Sequence, residues 1–112
     1  MRTETVTTHD IRVGDRIASQ GMVLLVDREP HQTRHPVNEY SPTLATAAVI
    51  ENWAELVAMA TEGHSTAQFI VHMVSNDMSP HGHRARNDLP PYTEPRWTIQ
   101  GNRLAHWARI IP

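Results

Sequence analysis

The chain has 112 residues and a formal net charge of −2, a length that suits one domain with a modest core. It contains no cysteine, which excludes disulfides, thiolate catalysis and cysteine-containing zinc motifs. The slightly acidic balance argues against a dedicated non-specific nucleic-acid binder, whose affinity comes mostly from neutralised phosphates. We expect a single domain over residues 1–112.

The N-terminal residues predict no targeting or membrane segment. The first ten residues are polar, and the longest apolar block, residues 22–26, is far too short to span a bilayer. We therefore expect a cytoplasmic protein without a membrane partner. The first residues, rich in threonine, are expected to form a loosely held lead-in.

A β-hairpin is predicted next. Gly14-Asp15 is a turn signal before a short strand, and residues 19–21 supply the following turn. Residues 22–27 are apolar on both alternating faces, which is typical of a centrally buried strand. Residues 28–36 turn polar between two prolines and indicate an exposed loop or a frayed strand extension.

The middle of the chain predicts one amphipathic helix. Ser41-Pro42 is a good helix start and Gly63 a good stop. Residues 43–50 fit a strand as well as a helix, because threonine, valine and isoleucine favour strands, so the helix is expected only from Asn52 to about Ala60. Its apolar face would hold Val49, Trp53, Leu56, Val57 and Ala60.

Strands are predicted on both sides of a long connection. Residues 66–75 form a mostly apolar run that we interpret as a strand. Residues 97–111 predict a strand, a Gly-Asn turn, one tight helical turn and a last short strand. The expected apolar contributors are Trp97, Ile99, Leu104, Trp107 and Ile110.

The connection at residues 77–96 carries the predicted binding surface. Its twenty residues include four prolines, and unstructured loops of that length tend to be functional or disordered. Residues 81–112 hold five arginines and two acids, whereas residues 37–80 hold five acids and no arginine. Arginines beside aromatic residues can dock an acidic protein patch, our first hypothesis, or bind nucleic acid, the alternative. The candidate contact residues are His81, His83, Arg84, Arg86, Tyr92 and Arg96.

Metal binding and catalysis have weaker support in the sequence. His81 and His83, with His72 or Asp77, have the ligand types of a zinc or nickel site, yet with eight histidines in the chain such a pair easily occurs by chance. Glu51 and Glu55 would share a helix face, and a solvated face is the simpler interpretation. There is no nucleophile elbow and no phosphate-binding glycine pattern. We therefore predict neither an enzyme nor a cofactor, assign no metal-ligating residues, and keep a histidine-ligated metal protein as a further alternative function.

Two segments carry a resemblance to a known group of proteins. Residues 11–17, Ile-Arg-Val-Gly-Asp-Arg-Ile, and residues 97–109, which begin Trp-Thr-Ile-Gln-Gly-Asn-Arg, resemble the two ends of small proteins of unassigned activity from actinobacterial viruses of the mycobacteriophage type. The resemblance covers about a quarter of the chain and implies a phage accessory protein in a GC-rich host. It supplies no catalytic residues.

The predicted fold class is mainly β with one helix, in the order of an SH3-like small barrel. That fold hosts many functions, so it does not identify one. The predicted function is a non-enzymatic binding module whose partner is a host or viral protein.

Overall fold

Antiparallel strand pairing organises the chain, which a computed structural model describes at residues 1–33, 43–75 and 94–112. These residues form one seven-stranded sheet, a 3-10 turn and two helices. The strands are β1 Thr3–Thr7, β2 Arg16–Ser19, β3 Met22–Leu25, β4 His31–Thr33, β5 Thr43–Ile50, β6 Arg96–Asn102 and β7 His106–Ile110. The helices are α1 Trp53–Thr61 and α2 Ser65–Ser75, and the 3-10 turn spans Thr8–Asp10.

Strand β5 is the longest and pairs along both of its edges. Strand β6 runs beside it from Thr43↔Asn102 to Val49↔Arg96, while β4 and β3 pair with its beginning and its end. Beyond β3 the order continues through β2 and β7 to β1. The mainly β prediction is confirmed. Among the described strands no pairing joins β6 to β1, so the sheet does not close into the expected barrel.

The N-terminal segment is an ordered strand, and the prediction of a loose lead-in is wrong. Strand β1 pairs along its whole length with β7, from Thr3↔Ile110 to Thr7↔His106. Its alternating threonines suit an extended backbone, because β-branched residues are stiff at χ1. The partner strand lies about a hundred residues away in the sequence, so no local pattern showed the pairing.

The predicted hairpin and the first helix are confirmed. Strands β2 and β3 pair from Arg16↔Leu25 to Ser19↔Met22, and β3 lies centrally in the sheet. Residues 43–50 are a strand, which resolves the ambiguity left by the sequence. Helix α1 then ends at a left-handed Gly63, φ +98°, where the His64 amide donates to the Met59 carbonyl at 3.0 Å.

Residues 66–75 are helical, and the prediction of a strand there is wrong. Ala67 and Ile70 are fully buried, whereas Phe69 between them is exposed, a spacing of three that suits a helix. A short apolar run does not by itself distinguish a strand from a helix. Packing of α2 against α1 decides the outcome.

Three of the five C-terminal residues expected in the core pack there, and Ile110 is only partly buried. Trp97 and Ile99 are buried, and Trp107 is half-buried against the same cluster, as expected. Leu104 was expected in the core, and that is wrong, because its side chain is 76% exposed. Residues 102–105 form a turn in place of the predicted helical turn. None of the described helices is long and apolar enough to cross a membrane.

Candidate functional site

Most of the predicted contact residues lie outside the part of the chain that the structure describes. This applies to His81, His83, Arg84, Arg86 and Tyr92. Arg96 is described and begins β6, where its side chain is only 5% exposed. The structure therefore places one member of the predicted surface and leaves the other five as predictions.

Arg96 is an internal link between β6 and the end of β3. Its two terminal nitrogens donate to the two carboxylate oxygens of Asp27, each at 2.7 Å, and one also donates to the Ala47 carbonyl at 2.7 Å. Glu94 accepts a further bond. The hydrogen bond from Arg96 lowers the pKa of Asp27, although burial opposes this. The buried guanidinium thus has a structural task within the fold.

Other arginines of the sheet are also engaged within the chain. Arg16 pairs with Glu51 at 2.6 Å, across 35 residues of sequence. Arg109 pairs with Glu4 at 2.6 Å and with Asp15 at 3.3 Å, beside a shallow depression of about 300 Å³. These ion pairs leave the described arginines less available for phosphate groups than their number suggests.

A pocket of about 260 Å³ lies between the β2–β3 turn and the helix pair, and we call it the helix pocket. Leu56 and Ala67 line it and are 1% and 2% exposed, so it reaches down to the core. Its lining is mostly carbon. The lining residues are Gln20, Gly21, Leu56, Met59, His64, Thr66 and Ala67.

Asn52 fixes one rim of the helix pocket. Its side-chain oxygen accepts from the Val23 amide at 2.9 Å, and its side-chain nitrogen donates to the Gly21 carbonyl at 2.8 Å. The β2–β3 turn itself uses positive φ angles at Gln20 (54°) and Gly21 (85°). The start of α1 and the turn are therefore held at a fixed separation, which keeps the pocket formed without a ligand.

Two exposed carboxylates, Glu55 on α1 and Glu62 directly after it, lie on the side of the helix that carries Met59 of the helix pocket. Glu55 and Glu62 stand four residues before and three residues after Met59, spacings that put all three on one side of the helix. The stretch of residues 37–80 around them holds five acids and no arginine or lysine, so its sequence charge is negative. The pocket can therefore accept an apolar side chain whose neighbours carry positive charge.

The structure groups the predicted acids differently from the sequence analysis. Glu51 precedes α1 and pairs with Arg16, whereas Glu55 lies on the helix. A two-carboxylate site on one helix face is therefore not formed by this pair. Within the described ranges no group of three or more histidine, aspartate or glutamate residues could hold a metal ion, and these ranges do not include His81 and His83.

Sequence reasoning missed the helix pocket because it assigned α2 to a strand. A signal was available, since Ser65 precedes Gln68 by three residues, a spacing found at helix starts. Comparison of the chain with protein-family models, with curated proteins and with solved structures found no match.

Proposed function

We propose that the protein is a non-enzymatic binding module that docks a segment of a host or viral protein. The observation that carries the proposal is the helix pocket, an apolar depression flanked by Glu55 and Glu62. In keeping with the viral resemblance, we place this activity in a phage accessory protein acting in the host cytoplasm.

The chemistry of the helix pocket supports a protein partner. Burying one leucine-sized side chain contributes about 1.5–3 kcal/mol, and a pre-formed pocket spares most of the cost of ordering its walls. Flanking carboxylates add electrostatic attraction that favours a basic segment and speeds its association. The same carboxylates repel phosphate groups, so this site favours protein over nucleic acid.

The predicted surface at His81, His83, Arg84, Arg86 and Tyr92 is a second contact region within the same proposal. Its arginines suit an acidic patch, whereas the helix pocket suits a basic one. Nucleic acid remains the competing ligand for this basic surface. If nucleic acid is the ligand, the binding affinity should fall steeply as the salt concentration rises.

Paired substitutions on one turn of α2 test the proposal. Thr66 lines the helix pocket and is exposed, so Thr66→Arg adds bulk and positive charge at the rim without disturbing the core. Ser65→Arg places the same group on the neighbouring exposed residue, which does not line the pocket. The partner is identified by cross-linking from a rim residue and then purified. Its affinity should fall at least ten-fold for the Thr66→Arg variant and not for the Ser65→Arg variant.

Three outcomes separate the hypotheses. Equal affinity of the two variants for the cross-linked partner would reject the helix pocket as the binding site. Loss of binding only after Arg84→Ala and Arg86→Ala would move the site to the predicted basic surface. Loss of all binding after nuclease treatment would replace the protein partner by nucleic acid.

We also retain the SH3-like small barrel as a proposal for the fold. A Cβ added to Gly101 of β6 would lie 3.2 Å from the Thr8 hydroxyl oxygen, so the end of β1 lies close to β6. That proximity supports a nearly closed sheet. Inter-strand amide contacts between β1 and β6, measured by NMR, would establish closure, and their absence would reject it.

A further inference from the structure

We propose that the helix pocket receives the turn between β6 and β7 of a second copy of this chain, so that two copies exchange turns in a closed dimer. The inference rests on the proposed function, because it names the partner of the same pocket. Leu104 at the tip of that turn, residues 102–105, is 76% exposed. Its side chain is therefore available to a pocket on another molecule.

The turn holds Leu104 in a fixed position. The Leu104 amide donates to the Asn102 side chain at 3.0 Å, and the Ala105 amide donates to the Asn102 carbonyl at 3.1 Å. The base of the turn is tied to the 3-10 turn, because the Thr8 and His9 amides donate to the carbonyls of Ala105 and Arg103. Little conformational entropy is therefore lost when Leu104 enters a pocket.

Charge on the two surfaces is complementary. Arg103 is exposed directly before Leu104, and Arg12 lies against the 3-10 turn through a 2.7 Å bond to the His9 carbonyl. Asp10 in that turn subtracts one charge, which leaves the tip net positive. Glu55 and Glu62 give the helix pocket the opposite sign. Leucine beside arginine is the chemistry that an acid-flanked apolar pocket accepts.

Strand register places pocket and turn at the same end of the sheet. Strands β2 and β7 pair at Ile17↔Arg109 and Ala18↔Ala108, so β2 runs toward the point where β7 begins. The turn after β2 lines the helix pocket, and the turn before β7 carries Leu104. Two copies related by a two-fold axis can then make the same contact twice, the closed arrangement that predominates among homo-oligomers.

The expected dimer is weak. Two turns and two pockets bury less than the ~1,200 Å² typical of stable interfaces, which places the contact among transient ones. The dissociation constant should fall between about 1 μM and 1 mM. The monomer and the dimer would therefore both be populated in a concentration series.

The test is sedimentation velocity of the purified full chain at protein concentrations that span the expected dissociation constant. The wild type should shift from monomer to dimer, and Leu104→Asp should weaken dimerisation at least ten-fold. Ile111→Asp is the control, because Ile111 is 36% exposed and follows β7, at the other end of that strand from the β6–β7 turn. Because Leu104 is exposed, Leu104→Asp should fold as the wild type does, and circular dichroism checks this.

Mixing two variants tests the pairing of surfaces. The Leu104→Asp variant keeps an intact pocket, and the Thr66→Arg variant keeps an intact turn. Neither variant should dimerise alone. An equimolar mixture should form a one-to-one heterodimer in which the turn of the Thr66→Arg chain enters the pocket of the Leu104→Asp chain. A wild type that stays monomeric, or Leu104→Asp that dimerises as tightly as the wild type, overturns the inference. The wild type could instead stay monomeric while its pocket variants lose a cross-linked partner of another sequence. That result overturns the dimer and leaves the proposed function standing.

Discussion

Replacing Asp27 by asparagine is expected to destabilise the protein through the buried side chain of Arg96. The change removes the negative charge from a carboxylate that accepts two 2.7 Å hydrogen bonds from a guanidinium only 5% exposed. Removing one partner of a buried ion pair costs about 3–5 kcal/mol. Asp27 is 37% exposed and Glu94 remains as a partner, so we expect about 2 kcal/mol here, below that range.

Urea denaturation followed by tryptophan fluorescence measures the loss, since Trp97 adjoins Arg96 in the core strand. The urea concentration at the midpoint of unfolding should fall, while the slope of the unfolding free energy against urea concentration stays constant. Asp10→Asn is the matched control, because that carboxylate is exposed and bonds only locally to Thr7. A loss below about 0.5 kcal/mol for Asp27→Asn, within the range of ordinary surface substitutions, would refute a structural role for this ion pair.

The pH dependence of the same pair has a definite sign. The hydrogen bond from Arg96 lowers the pKa of folded Asp27 below its value of about 3.9 in the unfolded chain. The stabilisation is therefore fully present above about pH 4 and is lost as pH falls through the lower, folded pKa. The difference in unfolding free energy between wild type and Asp27→Asn should accordingly shrink in acid. A difference that stays constant down to the lowest pH at which the protein folds would contradict this.

Four further substitutions test the packing around the proposed surfaces by the same denaturation assay. Gly101→Ala should cost about 1–3 kcal/mol, because the added Cβ would lie 2.9 Å from the Ala105 Cβ; an unchanged midpoint would show that the β6–β7 turn moves freely. Trp107→Phe should cost about 1 kcal/mol by removing the 2.8 Å bond from the indole nitrogen to the Thr8 hydroxyl, and Thr8→Val should cost a similar amount. Leu56→Ala should lower the free energy of unfolding by about 2–5 kcal/mol and enlarge the helix pocket, because Leu56 is only 1% exposed. A decrease below about 1 kcal/mol would mean that Leu56 contributes little to the core.

Local patterns predicted the elements whose signals are contained within a few residues. The β2–β3 hairpin follows from Gly21 in its turn and from the apolar residues on either side. Helix α1 and its end at Gly63 follow from helical spacing and from the left-handed conformation that glycine adopts easily. Val57 was expected on the buried face and is 38% exposed, so even there the width of the apolar face was overestimated.

The remaining features depend on distant contacts. Strand β1 exists because β7 pairs with it, and residues 65–75 are helical because α1 offers an apolar surface that a helix can cover. The helix pocket depends on the helical conformation of residues 65–75, since its walls come from the β2–β3 turn and two helices. The sequence alone determined the composition, the charge segregation and the short-range turns. Tertiary structure decided which apolar residues were left exposed, because burial depends on what each element packs against.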